Sequence, residues 1–147
     1  MFKYMKKTLI LLSFITVSLF GHCDTLDYYH VYLNDSLIGK YNFSLSDKPL
    51  IVLKKSELND DDVITVKYGT EHLCVECVYV LSVLIEVKEK APEAQTTESF
   101  GKLSILIEDL IYFQKKYEIE KYHFNYGIRF KNSPHDYGGY LLELKIV

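Results

Sequence analysis

Residues 122–131 alternate without a break. Tyr122, Phe124, Tyr126, Ile128 and Phe130 fall on one side, and His123, Asn125, Gly127, Arg129 and Lys131 on the other. Successive side chains of an extended chain point to opposite faces, so this spacing predicts a strand with an aromatic face toward a core and a polar face away from it. A helix would scatter the same rings around its circumference. One such strand cannot bury its face alone, and several other segments are written the same way. In residues 63–68, Ile64, Val66 and Tyr68 alternate with Thr65 and Lys67; in residues 140–147, Tyr140, Leu142, Leu144 and Ile146 are expected to face inward. Tyr28–Leu33 and residues 37–43 read as a hairpin, because Asn34, Asp35 and Ser36 between them bond their own backbone and favour a turn. Leu50–Leu53 and residues 103–107 add shorter strands.

The most apolar stretch past the amino-terminal segment is CVECVYVLSVLIEV, residues 74–87. Val75, Val78, Val80, Val83, Ile85 and Val87 are β-branched, and such side chains lose rotamer freedom against a helical turn but pack well on a pleated sheet. The stretch therefore predicts a central strand covered on both faces, pairing antiparallel with residues 63–68 and carrying the cysteines at their connection. A buried helix gives the same hydropathy, with Leu73, Cys77, Leu81 and Leu84 near helical spacing.

One helix is expected, over residues 108–117. Leu106, Leu110, Phe113 and Tyr117 are spaced for one face, with Glu108 and Asp109 at the start and Lys115 and Lys116 near the end, matching the sign of the helix dipole. The polar residues 88–99, which include Pro92, predict a surface loop, and residues 131–139 a long turn. Residues 54–62 end in three aspartates, but they lack the alternating oxygen ligands and closing glutamate of a calcium loop, so a solvated turn is expected. Helices do not alternate with strands along the chain. That pattern points to a mainly β fold, an antiparallel β-sandwich of about seven to eight strands with one short helix at its edge, with an α+β arrangement as the alternative.

The chain has 147 residues, of which 48% are hydrophobic and 25% charged, enough for one domain with a real core. Its 13 Tyr and 8 Phe suit strands. Residues 1–23 have the layout of a secretory signal peptide: Lys3, Lys6 and Lys7, then the apolar residues 8–20, then Gly21, His22 and Cys23. The apolar part is too short to span a bilayer comfortably. The expected division is thus a leader, residues 1–23, and a single sandwich domain, residues 24–147, placed outside the cytoplasm. Without the three leader lysines, 14 Lys and Arg face 20 Asp and Glu, a net charge of −6. An acidic mature chain with no basic stripe in its sequence argues against nucleic acid or anionic lipid as the main partner.

Phe20-Gly21-His22-Cys23 resembles the box of a bacterial lipoprotein, with His22 in place of the small residue before the cysteine. The resemblance implies a lipid anchor at Cys23. Ordinary cleavage after Gly21 or Cys23 would instead release a periplasmic or secreted domain. Asp24-Thr25-Leu26 and Asp35-Ser36-Leu37 resemble the sequence at which some Bacteroidetes O-glycosylate exported proteins.

His72, Cys74 and Cys77 form an HxCxxC cluster. In an oxidising compartment a structural disulfide between Cys74 and Cys77 is the first expectation. The layout of strand, loop and CxxC also resembles thioredoxin, which would imply a redox dithiol; Leu73 stands where that family usually has Trp, and Pro92 and Pro134 sit in loop-like stretches. Two thiolates and an imidazole are also a soft ligand set for zinc or copper(I), with His30, His123 or His135 as a fourth ligand. His123 otherwise reads as a solvated surface residue. No Gly-rich phosphate loop, GxSxG elbow or HExxH is present, and no cofactor is implied. The functional expectation is an exported bacterial envelope domain acting as a binding or structural module for an unidentified protein or ligand. The alternative is a thiol-redox or soft-metal protein using the cysteine cluster.

Overall fold

A computed structural model describes residues 27–43, 48–69, 74, 76–87, 89–98, 100–130 and 136–147. The leader, with the cleavage and lipidation expectations at Cys23, lies outside the described residues, as do Asp24-Thr25-Leu26, His72 and His135. Tyr28–Leu33 (β1) and Ser36–Asn42 (β2) form the expected hairpin. Its turn is built on Asn34, whose φ of 53° is a left-handed conformation that asparagine tolerates better than most residues. Leu50–Leu53 (β3) follows, then a 3-10 turn at Lys55–Glu57, then Val63–Gly69 (β4) and Cys77–Leu84 (β5). Glu93–Thr96 (β6), Lys102–Leu106 (β7), the helix Ile107–Tyr117 (α1), Tyr122–Phe130 (β8) and Asp136–Ile146 (β9) complete the series.

The strands form two sheets, ordered β2-β1-β4-β7 and β3-β9-β8-β5-β6. Every pairing is antiparallel except that of β3 with β9. Among the described residues this is the expected mainly β, sandwich-like fold with one short α-helix. Tyr29, Val31, Ile64, Val66, Leu103 and Ile105 face inward from the smaller sheet, and Tyr79, Leu81, Phe124, Leu142, Leu144 and Ile146 face them from the larger. Each such side chain contributes roughly 1.5–3 kcal/mol by leaving water. Two contacts bind the layers more specifically. The rings of Tyr68 on β4 and Tyr126 on β8 stack with centroids 4.0 Å apart, and the Tyr29 hydroxyl on β1 donates to the Leu141 carbonyl on β9 at 2.7 Å. Helix α1 closes one end with Ile107, Leu110, Ile111 and Phe113, and the Tyr122 hydroxyl donates to the Leu110 carbonyl.

Several expectations are corrected. β4 and β5 do not pair: β4 lies between β1 and β7, so both its edges are taken, and the chain crosses to the other sheet before β5. β5 is covered on both faces only in part. Tyr79, Leu81 and Val83 enter the core and Val80 is buried behind them, but Leu84 is exposed. The polar stretch 88–99 contains β6, which pairs with β5 as an edge strand, where charged and polar residues are tolerated because one side of the ladder meets water. The same stretch is tied to α1 through Glu89, which accepts from Lys116 and from the Tyr117 hydroxyl, each at 2.8 Å.

The inward face of α1 carries the expected Leu110 and Phe113 together with Ile107 and Ile111; Leu106 is instead the last residue of β7 and is exposed. Phe130, at the far end of the aromatic face of β8, is also exposed. Residues 136–139, expected in a turn, belong to β9. Gly138 sits opposite Gly127, and a Cβ added at Gly138 would come within 2.0 Å of the Tyr126 carbonyl oxygen, so this approach requires glycine. The register of β8 against β9 shifts after Phe124, which faces Leu142, while Asn125 faces Tyr140. The extra residue, Leu141, makes a bulge and is itself buried. It rotates Tyr140 away from the core, against the expectation of strict alternation.

The acidic stretch before β4 is not wholly solvated. Asp62 is buried, accepting from the Asn59 backbone N–H and the Asn34 side-chain amide, both at 2.9 Å.

Candidate functional site

Cys74 and Cys77 lie at disulfide distance, with Cα atoms 5.5 Å apart. Cys77 is the first residue of β5 and is buried; Cys74 is half-buried, and its backbone N–H donates to the Tyr79 hydroxyl at 3.2 Å. The thioredoxin arrangement needs the CxxC at the start of a helix, whose dipole favours the thiolate. Here a strand follows Cys77. Pro92 lies at the other end of β5, where its carbonyl accepts from Val83. Two of the three proposed fourth metal ligands, His30 and His123, are also remote. His30 is on β1 in the opposite sheet, and His123 pairs with Leu84 at the far end of the ladder whose near end is Cys77 and Phe130, roughly 24 Å along the strand. No group of three metal-ligating side chains occurs among the described residues.

His123 is not a freely solvated residue. Because the bulge turns Tyr140 outward, its hydroxyl reaches His123 Nδ1 at 2.8 Å, and Glu143 Oε1 lies 3.7 Å from the same nitrogen. Lys121 donates to the other Glu143 oxygen at 2.6 Å and, as the leading cause, holds that carboxyl below the usual range. Burial, then a bond to Glu143, pushes the Tyr140 hydroxyl up to about 12. The four groups satisfy one another beside a shallow depression bordered by Leu84, Ile85 and Ala91. A hydroxyl so reluctant to ionise, next to a carboxylate already claimed by a lysine, is suited to holding strands together.

The outer face of the smaller sheet differs. Register places Lys40, His30, Lys67 and Lys102 directly opposite one another on β2, β1, β4 and β7, a row crossing the sheet over about 14 Å at normal strand spacing. Val31, Val66 and Leu103 next to them face the core, so the row faces outward, and all three lysines are exposed. None of the four strands contains an Asp or Glu, although the chain has 20 acids against 17 Lys and Arg. Among the described residues no carboxylate pairs with Lys40, Lys67 or Lys102. Like charges directly across a ladder are destabilising. Lysines on the edge strands β2 and β7 have a bland role, since they discourage edge-to-edge pairing. That role does not extend to Lys67, which stands on an interior strand.

Tyr28 and Tyr32 flank His30 on the same face, their rings 5.2 and 6.4 Å from the imidazole. Beside the row is a depression of about 500 Å³ lined by Tyr32, Asn34, Thr65, Lys67, Lys102 and Ser104, with Asp35 and Val63 completing it. The Thr65 and Ser104 hydroxyls share a hydrogen bond at 2.7 Å. No family model, curated protein or solved structure matches this chain. The face therefore has to be read from its own chemistry.

The sequence did not reveal this face. Its three lysines and one histidine are separated along the chain and come together only through strand register. The available signal was that each occupies an outward position and that the strands carrying them hold no acid. The absence of a basic stripe in the linear sequence does not carry over to the folded surface.

Proposed function

We propose that this protein is an extracytoplasmic binding module of the bacterial envelope, without catalytic chemistry of its own, that makes contact through the outer face of its four-stranded sheet. The observation that carries the reading is the acid-free row of Lys40, His30, Lys67 and Lys102. Like charges placed side by side cost stability, and a partner of opposite sign would offset that cost. The leader-like residues 1–23 support the location, and no helix among the described residues is long and apolar enough to cross a membrane. In this reading Cys74 and Cys77 stitch the chain where it enters β5, and the His123, Tyr140 and Glu143 group braces β8 against β9.

Cosedimentation with the host's isolated envelope tests the contact surface. The unaltered protein should pellet, and so should Lys54→Gln/Lys55→Gln/Lys115→Gln, which removes three charges elsewhere. Lys40→Gln/Lys67→Gln/Lys102→Gln should stay in the supernatant. Equal pelleting of both triple variants would remove the face from consideration. Mass spectrometry of the mature amino terminus tests location: a chain retaining residues 1–23 overturns export by this segment, and a diacylated Cys23 fixes an anchored form.

A further inference from the structure

Resting on the reading of the four-stranded face as the contact surface, we infer that its ligand is an acidic saccharide, a chain of sugar rings bearing carboxylates. Three features of the face select this class. The cations are spaced by the strands, so Lys67 and Lys102 stand about 4.8 Å apart at their backbones and Lys40 two strands from Lys67, a series of separated charges that matches acid groups carried on successive rings. Tyr28 and Tyr32 place aromatic rings on either side of the row, and the apolar faces of sugars pack against such rings. The Thr65 and Ser104 hydroxyls, which share one bond with each other, line the adjoining depression, and a hydroxyl can both donate and accept, which suits the hydroxyl groups of a sugar.

Other polyanions fit less well. The row runs across the strands, and the backbone N–H and C=O groups beneath it are spent within the sheet, so a peptide lying along it gains no main-chain bonds. Nucleic acid derives its affinity from many phosphate contacts, and three lysines and a histidine on a chain of net charge −3 offer few.

The test is calorimetric titration of the purified protein with an oligomer of galacturonic acid, beside an uncharged glucose oligomer of equal length, a single-stranded oligonucleotide and phosphatidylglycerol vesicles. The galacturonate oligomer should bind, more weakly as salt rises, and the glucose oligomer should not. Lys67→Gln should weaken binding by about tenfold, as expected for one charge-assisted contact, and Tyr32→Ala should weaken it at unchanged net charge. Lys54→Gln/Lys55→Gln/Lys115→Gln should leave it intact. The inference is overturned if the galacturonate oligomer fails to bind, if Lys67→Gln and Tyr32→Ala bind it as the unaltered protein does, or if the oligonucleotide or the vesicles bind more tightly. Envelope cosedimentation that still depends on the lysine row would then leave the contact surface standing and reject only the saccharide.

Discussion

The side-chain amide of Asn34 donates to Asp62 Oδ1 at 2.9 Å, which fastens the turn of the first hairpin to the residue just before β4. The tie is reciprocal: Val63 N–H donates to Asn34 Oδ1 at 3.0 Å, and Asn34 N–H to the Val63 carbonyl at 2.8 Å. The Asn59 N–H, and after it the Asn34 amide, hold the Asp62 carboxyl below its usual range. The folded state therefore binds this proton less readily than the unfolded chain. The associated stability is complete above the ordinary aspartate range and is lost as pH falls through that range to the lowered native value. Thermal melts from about pH 6 to about pH 2 should show a decline that is shallower in Asp62→Asn. An identical slope in the two proteins would refute the role.

The hydroxyl of Tyr29 reaches across the core to the Leu141 carbonyl at the bulge. Tyr29→Phe keeps the ring and removes the donor, so it should cost about 1–3 kcal/mol in denaturant unfolding, with the fold retained. A loss near zero would mean that the bulge holds itself.

Helix α1 ends on Glu118, whose φ of 55° and ψ of 39° are left-handed. A residue with a Cβ is disfavoured there and glycine is not, so Glu118→Gly should raise stability by up to about 1 kcal/mol. Chemical denaturation midpoints decide it.

Cys74→Ser/Cys77→Ser opens a ring of very short separation. The expected cost, if the pair is oxidised in the mature protein, is at most about 2 kcal/mol, with an unchanged circular dichroism spectrum. Thiol titration before and after reduction accompanies the measurement; free thiols in the unreduced protein would remove the disulfide from the account.

Lys102 stands directly opposite Lys67. Lys102→Glu converts a like-charged pair into an opposite one, so the unliganded protein should melt at a slightly higher temperature, with the gain shrinking in high salt. The same change should weaken pelleting with the envelope. Stability and binding moving in opposite directions is what a face kept for a ligand requires.

Much of the sandwich is written locally. Strict alternation in residues 122–131 fixes β8, and Asn34 with Asp35 fixes the first turn, because each depends on neighbours in the chain. What escapes such a reading depends on partners. β6 is a strand because β5 offers it an edge, and its own residues look like loop. Tyr140 faces outward because one residue, Leu141, is inserted opposite β8. The lysine row has no local signature, since Lys40 and Lys102 meet only through the two strands between them. Cys74 and Cys77, conspicuous in the sequence, lie at the entrance to β5, with His30 and His123 far from them.

Among the described residues β3 pairs with β9 alone, and β9 is flanked on its far side by β8. β3 is made early and β9 late, so the larger sheet stays open on that flank until residue 146 has left the ribosome. Completion of this sheet therefore waits on a parallel pairing between segments far apart in the chain, a non-local contact whose loop-closure entropy makes it slower to form than any of the hairpins.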